Sequence, residues 1–184
     1  MLNRLVLVSL TVALTSCGYN RIQTLDEQVN AFKGQIEVQL QRRADLVPNL
    51  VEVVKGYAAQ EQAIFDAVTS ARAALSGAVQ GGNLAEMATA NGALTSALGR
   101  LIAIAEDNPE IKSNENFRML QDQLEGTENR ISVARQDYNN AVREYNAYIR
   151  AFPQVLTAKA TGAGAREYFE ADATAQAAPE VKFN

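Results

Sequence analysis

The sequence predicts an all-α fold: an up-down antiparallel helical bundle of three long helices, with one or more short helical segments at the C-terminus. Three observations carry this. Apolar residues recur at steps of three, four or seven along most of the chain, the rhythm of one helix face. Helix-breaking residues gather at a few points, Gly81-Gly82, Asn108-Pro109, Pro153 and Gly162 to Gly164. Strand patterning is confined to Val181 and Phe183 near the end.

The chain begins with a short basic stretch, Met1 to Arg4, followed by the ten-residue apolar run Leu5 to Leu14. A transmembrane helix needs about twenty such residues, so this run is too short to span by itself and matches the apolar core of a secretory signal peptide. It leads into Leu14-Thr15-Ser16-Cys17. Leucine, two small residues and a cysteine form a bacterial lipobox, in which the cysteine receives a diacylglyceryl thioether and becomes the first residue of the mature chain. Cys17 is therefore the expected lipidation site. Several acyl chains, each contributing about 0.8 kcal/mol per buried methylene, anchor a protein stably. Gly18 stands where an aspartate favours retention in the inner membrane of Gram-negative cells, which points to the outer membrane in such a host.

The first helical stripe runs Ile22, Leu25, Val29, Phe32, Ile36, Leu40, Val47, Leu50, Val54, Tyr57, Ile64, Val68, Ala71 and Leu75. It predicts one helix ending at Ser76-Gly77, kinked at Pro48 and followed by a turn at Gly81-Gly82. A second helix starts at Asn83, with Glu86 three residues on as a capping pair. Its stripe is Leu84, Met87, Asn91, Leu94, Leu98, Leu101 and Ala105, and it stops before Pro109. The third carries Phe117, Leu120, Leu124, Ile131, Ala134, Tyr138, Val142, Tyr145, Ile149 and Phe152, and ends at Pro153. Residues 113–152 would make a rod of about 60 Å, and residues 83–107 one of about 37 Å. Short helices are expected over Gln154 to Ala160 and Arg166 to Ala178. The expected organisation is a signal peptide at 1–16, an anchor-proximal segment at 17–38, the bundle at 39–160 and a tail at 161–184.

Composition removes several chemistries. The 184 residues include no histidine, no tryptophan and a single cysteine. No Ser-His-Asp triad, His-ligated metal, intramolecular disulfide or Cys-x-x-Cys pair can be built from this set. A net charge of −4 argues against a general nucleic-acid binder. The helical stripes carry no inward acids for an all-carboxylate metal site, so no cofactor and no enzyme activity are expected.

The unusual polar chemistry lies at Arg42-Arg43-Ala44-Asp45-Leu46-Val47-Pro48-Asn49. Pro48 lacks an N–H and strands the carbonyl of Ala44. Arg43 falls on or beside the apolar stripe, and Arg42 can pair with Asp45. Either this is a kink with solvated charges, or it is a polar notch that docks a partner or ligand. Length matching puts Glu110, Asn114, Glu115 and Asn116 opposite Arg42 and Arg43. In the third helix, Glu128 and Arg135 flank the stripe, with Asn129, Asn139 and Asn146 nearby. These read as boundary residues that set register, and Tyr138, Tyr145 and Tyr148 as core residues.

Two stretches go further. One is Val38-Gln-Leu-Gln-Arg-Arg-Ala-Asp-Leu-Val-Pro-Asn-Leu-Val-Glu-Val-Val-Lys-Gly-Tyr57 with Val68-Thr-Ser-Ala-Arg72. The other is Asn116-Phe-Arg-Met-Leu-Gln-Asp-Gln-Leu-Glu-Gly-Thr-Glu-Asn-Arg-Ile131 with Ala134-Arg-Gln-Asp-Tyr-Asn-Asn-Ala-Val-Arg-Glu-Tyr-Asn146 and Phe152-Pro153. Together with Pro179-x-Val-x-Phe183 they resemble the LemA family over nearly the whole mature chain. The resemblance implies a mostly antiparallel bundle on the outer side of the cytoplasmic membrane, usually held by an N-terminal transmembrane helix, with no agreed catalytic activity. This chain departs from that pattern, because its apolar run is short and ends in a lipobox. The family motif falls on Arg42, Arg43, Asp45, Pro48, Asn49, Asn116, Glu128, Arg130, Arg135, Tyr138, Asn139 and Tyr145, the candidates for a shared structural or docking role. The expected protein is a lipid-anchored, envelope-facing bundle that binds envelope or membrane proteins. The alternative is a bundle that binds a small ligand or lipid in an apolar cavity near Pro48.

Overall fold

The computed structural model describes residues 2–58 and 60–170, with side chains from Gly18 onward. All of its regular elements are helices: α1 (Leu2–Lys55), α2 (Gln62–Gly81), α3 (Leu84–Asp107), α4 (Pro109–Lys112), α5 (Glu115–Arg150) and α6 (Gln154–Thr161). The all-α fold expected from the periodicity is what forms. The chain divides into two compact units, Met1–Gln35 with Ala134–Tyr168, and Ile36–Val133 with Phe169–Asn184. Both α1 and α5 contribute residues to each.

In the unit built on Ile36–Val133, the buried face of α1 is Ile36, Leu40, Ala44, Val47, Leu50 and Val54. Pro48 stays inside α1 without ending it. The helix stops instead at Gly56-Tyr57, where the Ala58 N–H bonds the Val54 carbonyl at 3.0 Å. The single first helix expected to run to Ser76 is thus two helices. Sequence periodicity hides the break because the stripe slips by one residue across it. Ala58 and Phe65 are buried, whereas Tyr57 is 43% exposed and Ile64 only half-buried. Alanine is small enough to enter the core in either phase, so the stretch from Tyr57 to Ile64 gives no signal for the change.

From there α2 continues the core through Phe65, Val68, Leu75 and Ala78. It ends at Gly82, not Gly77; Gly82 adopts φ 67, a left-handed conformation that glycine enters without steric cost. Its N–H closes the helix on the carbonyls of Ala78 and Val79. Asn83 caps α3 as expected, accepting from the N–H groups of Ala85 (2.9 Å) and Glu86 (3.2 Å). The α2–α3 hairpin is completed by Met87, Leu94, Leu98, Leu101 and Ala105 on the buried face of α3. After Asn108 the chain makes the single turn α4, and Ile111 plugs the core. Asn114 then caps α5, accepting from the N–H groups of Asn116 (2.9 Å) and Phe117 (3.2 Å). Phe117, Leu120, Leu124 and Ile131 follow on its buried face.

In the other unit, Ile22, Leu25 and Val29 of α1 form the apolar face, with Ala134, Tyr138, Val142, Tyr145 and Ile149 on that of α5. The α1 backbone abuts α6, since a Cβ placed on Gly18 would lie 3.5 Å from the Thr157 hydroxyl oxygen and 3.8 Å from Gln154 Cγ. Phe152, expected in the α5 stripe, is 80% exposed because α5 ends two residues earlier. Residues 163–170 have no regular secondary structure, so the helix expected from Arg166 does not begin there; the rest of it, and Val181 and Phe183, lie outside the described residues.

Candidate functional site

The centre of the Ile36–Val133 unit holds a charge. Arg43 occupies a core position of α1 and is 5% exposed. Its Nη1 donates to the Oδ1 of Asn91 on α3 at 2.8 Å and to the Oε2 of Glu128 on α5. Asn91 is itself 3% exposed, while the Glu128 side chain is 43% exposed. One cation therefore ties three helices, with a neutral acceptor inside and a carboxylate at the rim. Desolvation costs most for a charge without partners, and here both partners are provided. The expected partners Glu110, Asn114, Glu115 and Asn116 are not the ones that accept from Nη1. The oxygen of Asn114 is used to cap α5, and Glu128 reaches Arg43 from more than three turns further along it.

Next to Arg43, the carbonyl of Ala44 lacks the N–H that Pro48 would have supplied. Arg72 of α2 fills the vacancy, donating from Nε to that carbonyl at 2.9 Å. Since Ala44 is fully buried, the bond removes an otherwise unsatisfied acceptor. Replacing Arg72 by Met should cost about 1–2 kcal/mol in urea unfolding. The same replacement in a Pro48→Ala background should cost far less, because residue 48 then donates its own N–H. Equal costs in both backgrounds would rule out this pairing.

The remaining candidates are spread over the surface. Asp45 accepts from Gln41 Nε2 at 2.8 Å, and Pro48, Asn49 and Asn116 are exposed. Arg42 and Arg130 line an open cleft of about 690 Å³ along α5, together with Glu115, Arg118, Asp122 and Glu125. Both cations and acids line it, and Met119 is its exposed apolar residue, 50% accessible.

Arg135, Tyr138, Asn139 and Tyr145 belong to the other unit. Arg135 and Asn139 are half-buried. Tyr138 helps to hold the segment after α6, and Tyr145 is buried in the core of this unit. Asn146 accepts from the Arg166 N–H at 2.8 Å and donates to the Arg166 carbonyl at 2.9 Å. The Arg166 guanidinium meets Asp26 of α1 in a two-pronged pair, both bonds 2.8 Å, and Tyr138 donates to the Glu167 carbonyl at 2.9 Å. The hydrogen bond to Asp26 raises Arg166 above its ordinary value, so the guanidinium stays charged. A second cleft, of about 370 Å³ and mainly polar, lies beside this tie and is lined by Gln23, Asp26, Tyr145, Thr161 and Arg166.

Burial raises both phenols above 10.0; at Tyr145 the charge of Asp26 adds to the rise while Arg166 opposes it. A phenol that keeps its proton longer when folded leaves stability unchanged below its ordinary value. Stability then falls as pH climbs above that value. Unfolding free energy should therefore decline at alkaline pH, and Tyr145→Phe should flatten the decline. A pH profile identical in both proteins would contradict this.

Sequence reasoning found Arg43, Glu128 and Tyr138 but missed Asn91, Arg72, Asp26 and Arg166 as their partners or counterparts. Asn91 did carry a signal, being a polar residue inside an apolar stripe. Among the described residues no three His, Cys, Asp or Glu side chains are grouped to hold a metal ion, and no helix is long and apolar enough to cross a membrane.

These features define an all-helical protein whose buried polar groups tie helix to helix. The LemA family model matches residues 32–183, and the chain belongs to the LemA family. It is 30% identical over 182 residues to the magnetosome proteins MamQ 1 and MamQ 2 of Paramagnetospirillum magneticum, covering 86% of this chain and 67% of each relative. It is 29% identical over 174 residues to magnetosome protein MamQ of Magnetospirillum gryphiswaldense, covering 82% of this chain and 64% of that protein. The family and these relatives point to a membrane-associated, LemA-like protein.

Proposed function

We propose that the protein is a non-catalytic module that docks other envelope or membrane proteins, held to the membrane by lipid on Cys17. In a Gram-negative host it faces the periplasm from the outer membrane. Cys17 lies outside the described side chains, and its role rests on the lipobox in the sequence. The observation that carries the docking role is the 690 Å³ cleft along α5, where charges of both signs surround Met119. The buried cation Arg43 is consumed in tying helices, whereas Arg42, Arg118 and Arg130 are presented outward. Such a rim gives register and selectivity to a polar partner segment. Neither described cleft is lined by Pro48 or mainly apolar, so the small-ligand reading gains no support.

Two measurements test this in the native host. Cys17→Ala should abolish palmitate labelling and move the protein out of the membrane fraction; unchanged labelling and fractionation would remove the lipid anchor. A photocrosslinker at Met119 should capture a discrete partner, lost on Arg42→Glu with Arg130→Glu. The same diffuse background from both chains would count against docking.

A further inference from the structure

The corner between α5 and α6 exposes an apolar face that the fold does not use. Phe152 is 80% exposed and Leu156, four residues on, 58% exposed. The Val155 N–H bonds the Ala151 carbonyl at 2.8 Å and the Leu156 N–H bonds the Pro153 carbonyl at 3.0 Å, so the backbone turns helically through this corner. Arg150 and Lys159, both exposed, flank the pair. The inward side of α6 is Thr157 and Ala158, and Thr157 is the residue that meets α1 at Gly18.

That contact fixes where the patch lies relative to the membrane. Gly18 immediately follows Cys17, and the apolar run ends at Leu14, four residues earlier in the chain. Whether the bilayer holds acyl chains on Cys17 or the apolar run itself, it meets the protein within about 6 Å of helix axis from Gly18. An α-helix is about 10 Å across, so the outer face of α6 is roughly one helix diameter from the point of attachment. A bilayer is about 40–45 Å thick with its headgroups but only about 30 Å in its hydrocarbon core, leaving an interfacial layer of several ångströms on each side. A phenyl ring and a leucine beside two cations suit that layer, with the rings and chains downward and the charges at the phosphates. Tyr19, 43% exposed, is one residue beyond Gly18 at the same level of α1.

We infer that Phe152 and Leu156 form a second membrane contact, a shallow interfacial patch that lays the α5–α6 corner against the lipid headgroups beside the anchor. The inference rests on the membrane-anchoring reading above. The occupant is the lipid surface, because the contact of Gly18 with Thr157 and Gln154 brings the attachment segment of α1 against α6.

The chain contains no tryptophan, so one introduced residue reports alone. The full-length, host-processed chain carrying F152W would be reconstituted into phosphatidylethanolamine–phosphatidylglycerol vesicles and floated. V38W, at a 63% exposed position of the other unit, serves as reference, and L156W as the second reporter. The expected result is a blue-shifted emission of F152W and L156W that brominated acyl chains quench, with V38W unshifted and unquenched. A chain that floats while F152W and L156W remain water-like and unquenched overturns the patch and leaves the anchor standing. A chain that does not float overturns both. A blue shift that grows with protein concentration in detergent, without quenching by brominated lipid, assigns the face to a second copy and also overturns the proposal.

Discussion

Arg43→Ala is expected to destabilise the protein by about 3 kcal/mol in urea or guanidinium unfolding. The cation is almost wholly buried and bonds Asn91 and Glu128 from two other helices. Its removal leaves the Asn91 carbonyl oxygen without that donor inside the core, and opens space where the side-chain stem packed. Glu128, nearly half exposed, returns to water at small cost. The loss should thus come mainly from the interior side of the tie, and Glu128→Gln should cost less than Arg43→Ala. Combining Arg43→Met with Asn91→Leu should recover most of the stability, because two apolar side chains of similar volume need no partners. If the double variant is as unstable as Arg43→Ala, the cost is one of packing and the polar tie is not its source.

Asn146→Ala should lower stability by about 2 kcal/mol and release the segment at residues 163–168. One amide side chain satisfies both the N–H and the carbonyl of Arg166, at 2.8 and 2.9 Å. Without it, these backbone groups fall back on water, and the segment is left with the Arg166–Asp26 pair, whose arginine side chain is 40% exposed, and the Tyr138 bond to the Glu167 carbonyl. Amide hydrogen exchange should quicken through 163–168 while the core of α3 keeps its protection. Uniform loss of protection across the chain, or none at all, would contradict a local role. Asp26→Asn should give a smaller effect, since the pair is partly exposed and screened and one of its two hydrogen bonds keeps a neutral acceptor.

The parts of the fold that were readable in advance are those written in neighbouring residues. Asn83 with Glu86, and Asn108 with Pro109, mark their helix ends through interactions that span a few positions, whereas α2 runs on to Gly81, past the expected end at Ser76-Gly77. The core of α3 follows its stripe almost residue for residue, but Asn91, the polar member of that stripe, was not read as a partner of Arg43. The break after Lys55 was hidden because alanines let the buried face shift phase without a change in composition. The Arg72 bond to Ala44 combines a local fact, the missing N–H of Pro48, with a non-local one, the packing of α2. Only the first half can be read from sequence. The docking of the chain at Arg166 depends on Asp26 and Asn146, each distant in sequence, and no spacing rule links them. Phe152 continued the α5 rhythm, yet the helix ends before it, which turns an expected core residue into the most exposed large apolar side chain among those described.

The three-helix tie at Arg43 also bears on how this part of the chain assembles. The cation comes from α1 and its two acceptors from α3 and α5, separated by 48 and 85 residues. A half-formed state containing α1 against either neighbour alone would trap the guanidinium in an apolar setting with its needs only partly met. Such states are disfavoured relative to the finished unit, in which both acceptors are present. Alanine-rich helices, which could otherwise slide past one another with little change in contact, are thereby denied many of their intermediate arrangements. The cost of burying one charge becomes a source of folding cooperativity, felt most by the partners that arrive last.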